Sequence, residues 1–488
     1  MGFVLGLDVS TTACKALLLH ESERVLAVSA SPHPLHTPQP LWSEQDPEDW
    51  WAASCLAIRG VLDQSGVDPG DVKAVGLTGQ MHGLVLLDER GDVLRPAMLW
   101  NDQRASAECA EIREAVGLER LVAITGNDAF AGFSAPKLLW VRRHEPEVLA
   151  RVRRVLLPKD YLRFRLTGRI ATDLAGAGGT LFLDLTARNW SAELLRLLDV
   201  PGDWLPPVHE GPEVTGVVKA DASRESGLPA GIPVVAGAGD QAAQAVGVGA
   251  VDPQTFALTI GTSGVVFAPS ATPRTDPTGS VHAFPHALPG MWHLMGVMLS
   301  AGGSLAWYRD TLAADVPFAQ LLEEAAGIPA GCEGLSFLPY LSGERTPHAN
   351  PDATGAFVGL TRRHRRGHLT RAVLEGVAFG LRDNLDLLAK VGLDRPSQLR
   401  ASGGAMKSPL WSQILADVLE TDLVRMTDLE GGALGAALLA GPAGGLWPDV
   451  KSGVEQSVST DSTVSPDSPG DYAEPLARFR ALYPALHA

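Results

Sequence analysis

The chain has 488 residues, of which 45% are hydrophobic and 20% are charged, and its formal net charge is -16 at pH 7. This composition is typical of globular proteins and excludes disordered and collagen-like chains. The acidic charge, which no long Lys- and Arg-rich segment offsets, argues against nucleic acid as a partner.

The N-terminal segment predicts folded structure rather than a targeting signal, since residues 1–8 have no basic stretch and already contain Asp8. The uncharged run 431–448 contains six glycines and two prolines, which makes it a poor membrane-spanning helix. The four cysteines lack the spacing of a zinc site or of a disulfide framework. The sequence therefore predicts a cytoplasmic protein without a membrane partner.

Two strand–turn–strand units lie close to half a chain length apart. The first has apolar strands around a polar turn at 8–12, and the second has apolar strands around the turn 261–264. Small hydroxyl residues and glycines in such turns present N–H and O–H donors to phosphate oxygens. Ordinary hairpin turns are the alternative. The repeat favours two related α/β halves, 1–247 and 248–488.

Helix-like stretches alternate with short apolar runs in both halves, which predicts sheets flanked by helices. In the second half the patterns predict a long helix over 368–391 and another over 409–420. Segment 451–471 is rich in Ser, Thr, Asp and Pro, so we expect a surface loop there, before a short final helix.

Two carboxylates stand where α/β enzymes place reacting groups. Asp240 follows an apolar strand and a Gly-rich bend and opens a helix of small residues. It is therefore either a general base for a hydroxyl nucleophile or a helix N-cap. Asp8 lies in the first hairpin turn, where a carboxylate can hold Mg²⁺ through water.

Other segments suit the binding of small molecules. Met81 and His82 follow a predicted strand, and Trp100 and Asp102 lie together further along the chain. Polar groups beside an aromatic ring suit a polyol, with loop and core roles as the alternatives. The glycines in 403–405 permit close approach of a flat ring or a phosphate. No Walker A or protein-kinase motif is present, so any phosphoryl transfer uses another scaffold.

Taken together, these motifs resemble those of the FGGY carbohydrate kinases. The resemblance covers nearly the whole chain, and within the family it is strongest to the bacterial members that phosphorylate xylulose. It is carried by the segments 8–12, 42–47, 79–83, 100–102, 157–162, 239–240, 261–264, 340–347 and 403–405.

The resemblance implies an α/β fold in which two actin-like (ribonuclease-H-like) domains flank a nucleotide cleft. It implies phosphorylation of D-xylulose at the 5-hydroxyl by ATP, with Mg²⁺, to give D-xylulose 5-phosphate and ADP. Asp240 would be the catalytic base and Asp8 would organise the metal. The other matched positions form a nucleotide set (Thr11, Thr12, Gly261, Thr262, Gly403, Gly404, Ala405) and a sugar set (Met81, His82, Trp100, Asp102, Gln241).

Two positions depart from the family pattern. Gln241 stands where many members have Asn, which bears on the identity of the sugar, and Ser402 stands where a third Gly is frequent. Another FGGY kinase, acting on ribulose, arabinitol or gluconate, is therefore one alternative, and an actin-like ATPase that is not a kinase is a second. The sequence leaves the oligomeric state open, with a homodimer among the alternatives.

Overall fold

In the computed structural model, which describes residues 2–22, 25–427 and 430–487, each half of the chain forms one large mixed sheet with helices packed on it. The strands of the first half are β1 (Phe3–Val9), β2 (Ala13–His20), β3 (Val25–Pro32), β4 (Glu44–Gln45), β5 (Val72–Gly79), β6 (Val85–Leu87), β7 (Ala97–Met98), β8 (Arg154–Leu156), β9 (Thr172–Asp173), β10 (Leu183–Asp184), β11 (Asn189–Trp190), β12 (Val208–His209), β13 (Val214–Val217), β14 (Pro233–Val235) and β15 (Ala238–Gly239). Its helices are α1 (Pro47–Ser65), α2 (Ser106–Val116), α3 (Leu118–Thr125), α4 (Ser134–His144), α5 (Pro146–Leu149), α6 (Pro158–Thr167), α7 (Leu174–Gly178), α8 (Ala192–Leu197), α9 (Ala220–Ser226) and α10 (Asp240–Gly247).

The second half continues the numbering. Its strands are β16 (Thr255–Ile260), β17 (Gly264–Ser270), β18 (His282–Pro285), β19 (Trp292–Met298), β20 (Ser336–Leu338), β21 (Ala356–Val358), β22 (Gln398–Gly403), β23 (Asp422–Met426) and β24 (Thr460–Val464). Its helices are α11 (Gly302–Leu312), α12 (Phe318–Ala326), α13 (Arg366–Lys390), α14 (Pro409–Leu419), α15 (Gly431–Ala440), α16 (Val450–Ser457) and α17 (Ala473–Leu486).

The two large sheets share one strand order. In the first, β1, β2 and β3 form an antiparallel meander, β5 and β14 add in parallel on the other side, and β13 closes the edge antiparallel. In the second, β16, β17 and β19 form the meander, β22 and β23 add in parallel, and β24 closes the edge. Both predicted hairpins are confirmed as β1–β2 and β16–β17, so the repeat seen in the sequence is a repeat of topology.

The tail of the second half differs from its prediction. Segment 451–471 was expected to be a surface loop, but it contains most of α16 and all of β24. Strand β24 pairs with β23 at the sheet edge and is exposed, so its polar composition reflects an edge position rather than irregular structure. Across the described ranges, no helix combines the length and the apolar character that crossing a bilayer requires.

Helix α15 belongs to the second half in sequence but packs on the first sheet, against β1, β5 and α10. Glycines allow this close approach on both of its sides. A Cβ on Gly6 of β1 would lie 1.9 Å from the carbonyl oxygen of Ala433, and a Cβ on Gly435 would lie 1.8 Å from that of Ala243 in α10. Because it is covered all round, α15 is apolar all round. It therefore ties the two halves together.

Replacing Gly435 by Ala tests this packing. In an isolated helix the change would stabilise by about 1 kcal/mol. Here we expect it to lower the free energy of unfolding by about 1–3 kcal/mol, because the new methyl group overlaps the backbone of α10. Chemical denaturation measures the effect. Gly327→Ala is the control, since Gly327 has φ -80° and its Cβ would have no neighbour closer than 4.0 Å; equal effects of the two changes would contradict the packing argument.

Candidate active site

A cavity of about 290 Å³ opens where β1, β5 and β15 end. Asp8 of β1 pairs with Thr78 of β5, and Gly239 of β15 pairs with Gly79 of the same strand. This register brings Asp8 and the residue after Gly239, Asp240, to the same edge of the sheet. The cavity is lined from both halves by Asp8, Ser10, Thr11, Lys15, Gln80, Trp100, Asp240, Gln244, Glu430, Gly431, Gly432 and Ala433.

Asp8 enters this cavity as a buried carboxylate that lacks a full set of partners. Its Oδ1 atom is buried and has no hydrogen-bond partner among the described residues. Burial raises the pKa of Asp8 to about 6; the positive charge of Lys15 opposes this shift, and the negative charge of Glu430 adds to it. A buried, unsatisfied carboxylate oxygen is costly unless a cation or a proton reaches it.

Asp240 is the first residue of α10, but it does not cap that helix. The N-cap is Gly239, and the Asp240 Oδ1 atom accepts only the N–H of the next residue, Gln241, at 2.8 Å. The N-cap alternative is therefore excluded. Burial, followed by the negative charge of Asp8, raises the pKa of Asp240 to about 7. A carboxyl group with a pKa near neutrality can both accept and release a proton there.

The residues present fit a divalent cation at Asp8. Three carboxylates, those of Asp8, Asp240 and Glu430, line one cavity, and the buried Oδ1 atom of Asp8 lacks a partner among the described residues. In the described part of the chain, no cluster of three or more His, Cys, Asp or Glu side chains could hold a metal ion by itself. A cation here would thus take most of its ligands from water and substrate, as Mg²⁺ does.

Lys15 is a cavity residue that the sequence analysis missed. It lies directly opposite Asp8 in the β1–β2 pairing and forms an ion pair with Glu430, the residue that precedes α15. The pair joins the first hairpin to the second half of the chain. Hairpin register could have identified it, because the residue opposite a turn carboxylate shares its face of the sheet.

The first hairpin turn is held by a network of side chains. Trp100 Nε1 donates to Thr11 Oγ1 at 3.0 Å, and Thr11 Oγ1 donates to Gln80 Oε1 at 3.3 Å. Gln45 Nε2 donates to the Thr11 carbonyl at 2.7 Å. Trp100 is nevertheless 42% exposed, so its ring faces the mouth of the cavity. Thr12 is exposed at the tip and lies outside the cavity wall.

The second hairpin turn borders a separate, mostly apolar cavity of about 500 Å³. Gly261, Thr262, Gly404 and Ala405 line it, beside the rings of Phe318 and Trp411 and nearby aliphatic side chains. This cavity therefore brings together four of the predicted nucleotide residues, two from the second hairpin turn and two from the segment that follows β22.

A third cavity, of about 530 Å³, links the other two. It shares Gln244 with the carboxylate cavity and Gly404 with the apolar cavity, and Gly403 also lines it. Gly403 has φ 100°, and a Cβ there would lie 2.3 Å from the carbonyl oxygen of Ile260, so this position requires glycine. The three cavities form one continuous cleft from Asp240 to Trp411.

Met81 packs against the segment that leads into Asp240, whereas neither Met81 nor His82 is among the residues that line the carboxylate cavity. A Cβ on Gly239 would lie 2.7 Å from Met81 Cγ, so the two segments are in close contact. His82 Nδ1 lies 2.7 Å from the Gly179 carbonyl oxygen and donates to it, which leaves Nε2 as the acceptor. Burial lowers the pKa of His82 to about 3, so the ring is neutral. It stacks on Phe133 with ring centroids 4.5 Å apart.

Asp102 is not brought together with the other predicted sugar residues. It is fully buried, and its Oδ1 atom accepts the backbone N–H of Arg104 at 3.0 Å and Nε of the same residue at 2.9 Å. Its Oδ2 atom accepts the N–H of Ser43 at 2.7 Å and Arg104 Nη2 at 2.6 Å. Both oxygens are occupied, so Asp102 fixes the loop that carries Trp100.

Lys137 is a second residue that the sequence analysis missed. Its Nζ atom is buried and donates to the carbonyl oxygens of Gly132 at 2.7 Å, His82 at 3.1 Å and Met98 at 3.5 Å. Burial lowers the pKa of Lys137 to about 7. It thereby ties together three segments around His82. A lone Lys among apolar residues at 131–141 was the available signal.

Comparison with known proteins identifies the family. Models of the FGGY family of carbohydrate kinases match in two parts, the N-terminal domain at residues 3–247 and the C-terminal domain at 256–444. The chain belongs to the FGGY family of carbohydrate kinases. This membership confirms the predicted fold class of two actin-like domains and the predicted class of enzyme, a sugar kinase that uses ATP.

Individual members are similar over nearly the full length of this FGGY kinase. Xylulose kinase of Escherichia coli K12 is 47% identical over 438 residues, 89% of each chain. The structure of ligand-bound xylulose kinase from Lactobacillus acidophilus has a TM-score of 0.95 at 30% identity and covers 100% of this chain and 99% of its own. Gluconate kinase from the same organism has a TM-score of 0.93 at 30% identity and covers 99% and 97%. Overall shape therefore does not distinguish between these two sugars.

Replacing Asp240 by Asn should stabilise the folded chain. Asn keeps the bond to the Gln241 N–H but removes a buried charge that Asp8 repels. Asp240 has a higher pKa folded (about 7) than unfolded (3.8), so the wild type loses stability as pH rises between these values. Above pH 7 we expect Asp240→Asn to raise the free energy of unfolding by up to a few kcal/mol, since each pKa unit is worth about 1.4 kcal/mol. Chemical denaturation at several pH values measures this difference.

Asp63→Asn, at an exposed position of α1, is the matched control and should change stability little at any pH. A stability gain of Asp240→Asn that is the same at pH 4 and pH 8 would contradict a raised pKa at Asp240.

Proposed function

We propose that this chain transfers the γ-phosphoryl group of ATP to the 5-hydroxyl of D-xylulose, giving D-xylulose 5-phosphate and ADP. The observation that carries the proposal is the cavity that holds Asp8 and Asp240, next to the Met81 segment and sharing Gln244 with a cavity of the second half. The curated relative named xylulose kinase, 47% identical, supports the choice of sugar.

Asp240 is the proposed general base. Its carboxylate takes the proton of the 5-hydroxyl while that oxygen forms a bond to the γ-phosphorus, and the bond from this phosphorus to the bridging oxygen of ADP breaks. A pKa near 7 suits this task, because the base is substantially ionised at neutral pH and still binds a proton well. After the transfer the proton is bound to the carboxylate of Asp240, and ADP keeps the electron pair of the broken bond.

Asp8 and Lys15 are the proposed partners of the phosphates. Asp8 supplies an unpartnered buried oxygen that would hold Mg²⁺ through water, and Lys15 would neutralise a phosphoryl oxygen after leaving Glu430. Bound Mg²⁺ supplies positive charge to the β- and γ-phosphates. The first-turn residues Thr11 and Thr12 are proposed to bind phosphate oxygens through their backbone N–H groups.

The second half is the proposed nucleotide side. The apolar cavity between Phe318 and Trp411 suits an adenine ring, and Gly403, Gly404 and Ala405 would lie against the nucleoside. Gly261 and Thr262, on the facing turn, would bind the phosphates. We propose that 1–247 and 248–488 act as the two domains and that their closure excludes water, which competes with the sugar for the phosphoryl group.

The first half is the proposed sugar side. Met81 gives an apolar wall, His82 Nε2 accepts from a hydroxyl, Trp100 covers the mouth and Gln241 lies next to the base. We propose that Asp102 acts only through the loop it fixes. A cytoplasmic location, where ATP is available, is in keeping with this activity.

A second candidate is an aldonate as the acceptor, since a gluconate kinase superposes as well as a xylulose kinase at the same identity. A coupled ADP-release assay over D-xylulose, D-ribulose, D-arabinitol and D-gluconate separates them. We expect the highest kcat/KM with D-xylulose, and mass spectrometry of the product should place the phosphate on C5. Preference for gluconate would overturn the choice of sugar, and ADP release that no sugar stimulates would overturn the kinase assignment.

Replacing Asp240 by Asn tests the base. We expect kcat for D-xylulose to fall about 10²- to 10⁴-fold, because general-base help of this kind contributes about that factor. The KM for ATP should stay near its wild-type value, since Asp240 lines the cavity away from the apolar pocket. Steady-state kinetics measure both, with Asp63→Asn as the control. Near wild-type turnover of Asp240→Asn would remove this residue from the base role.

A further inference from the structure

Arg345 lies in a rigid loop of the second half that the proposed function leaves unused. Glu344 accepts the N–H of Leu299 at 2.9 Å, next to the end of β19. Thr346 donates its N–H to the Val297 carbonyl at 3.1 Å, and its hydroxyl accepts the Val297 N–H at 3.1 Å. The backbone on both sides of Arg345 is therefore held against the sheet.

The guanidinium group of Arg345 has no polar partner among the described residues, although the side chain is half-buried. Its Cζ atom lies over the ring of Phe130 in the first half, 5.6 Å from the ring centroid. Burial lowers the pKa of Arg345, and the negative charge of Glu344 opposes this. A half-buried cation with five free N–H donors and no counter-ion lacks the partners that such groups normally have.

An aromatic wall connects Arg345 to the sugar side of the cleft. Phe130 contacts Phe133 with centroids 5.7 Å apart, and Phe133 stacks on His82 at 4.5 Å. Burial dominates the low pKa of His82, but the charge of Arg345 contributes to it, as it does for His282. The charge of Arg345 therefore reaches His82 from the Phe130 end of this wall.

We propose that Arg345 is a specificity-determining residue: it donates hydrogen bonds to the oxygens at the end of the sugar remote from the hydroxyl that Asp240 deprotonates. This inference rests on the proposed function. A planar guanidinium with paired donors suits two neighbouring oxygens, such as the carbonyl and the terminal hydroxyl of a ketose. Because Arg345 comes from the second half, the sugar would be contacted from both sides, and recognition would favour closure.

Arg345→Gln tests the proposal with D-xylulose and with xylitol, which has a hydroxyl in place of the carbonyl. We expect the KM for D-xylulose to rise roughly 10- to 100-fold, the usual effect of losing a charged hydrogen-bond donor. The KM for ATP should not change, and the preference for D-xylulose over xylitol should shrink. Arg345→Lys keeps the charge but loses the planar fork, so it should restore only part of the affinity.

Arg362→Gln is the matched control, because this arginine is exposed in the same half, and its kinetics should equal those of the wild type. If the wild type phosphorylates D-xylulose but Arg345→Gln keeps its KM and its preference, the role of Arg345 is overturned. An equal rise of KM for ATP and sugar also overturns it. If Arg345→Gln fails to fold, the KM of Arg345→Lys for D-xylulose and its preference over xylitol test the same role. A wild type without activity on any sugar overturns the proposed function instead.

Discussion

The burial of two carboxylates in one cavity is the constraint on which the rest of this site depends. Asp8 and Asp240 meet because their strands pair with the same neighbour, β5, and end at the same edge. Burial raises the pKa of both; the negative charge of Asp8 adds to the shift of Asp240, and that of Glu430 adds to the shift of Asp8. The surrounding core offsets that cost. Such local conflict is expected where a protein holds reacting groups rather than where it only folds.

Helix α15 makes this cavity a joint property of the two halves. It comes from the second half, yet it is wedged between the first sheet and α10, where Gly6 and Gly435 leave room for it. Its first residues reach the carboxylates: a Cβ on Gly432 would lie 3.1 Å from Asp8 Oδ2, and Glu430 pairs with Lys15. The second half of the chain therefore contributes directly to the electrostatics around Asp8.

The cleft separates its tasks by chemistry. The wall around Phe318 and Trp411 is apolar and suits a flat ring, whereas the carboxylate cavity is polar and suits charged oxygens. His82 is kept neutral by burial and oriented by the Gly179 carbonyl, so its free ring nitrogen can only accept a hydrogen bond. Lys137 holds the backbone of that loop in place. The geometry of these buried polar groups is thus fixed by packing.

The sequence by itself determined the two hairpins, the position of Asp240 at a strand end and the long helix, found at Arg366–Lys390, because alternating apolar runs and Gly-rich bends are local signals. Tertiary structure alone decided that α15 packs on the other half and that a polar tail segment forms an edge strand. It also decided that Arg104 and Ser43 donate hydrogen bonds to the carboxylate of Asp102. Those outcomes depend on which distant groups meet and how deeply they are buried, and neither is encoded in the order of neighbouring residues.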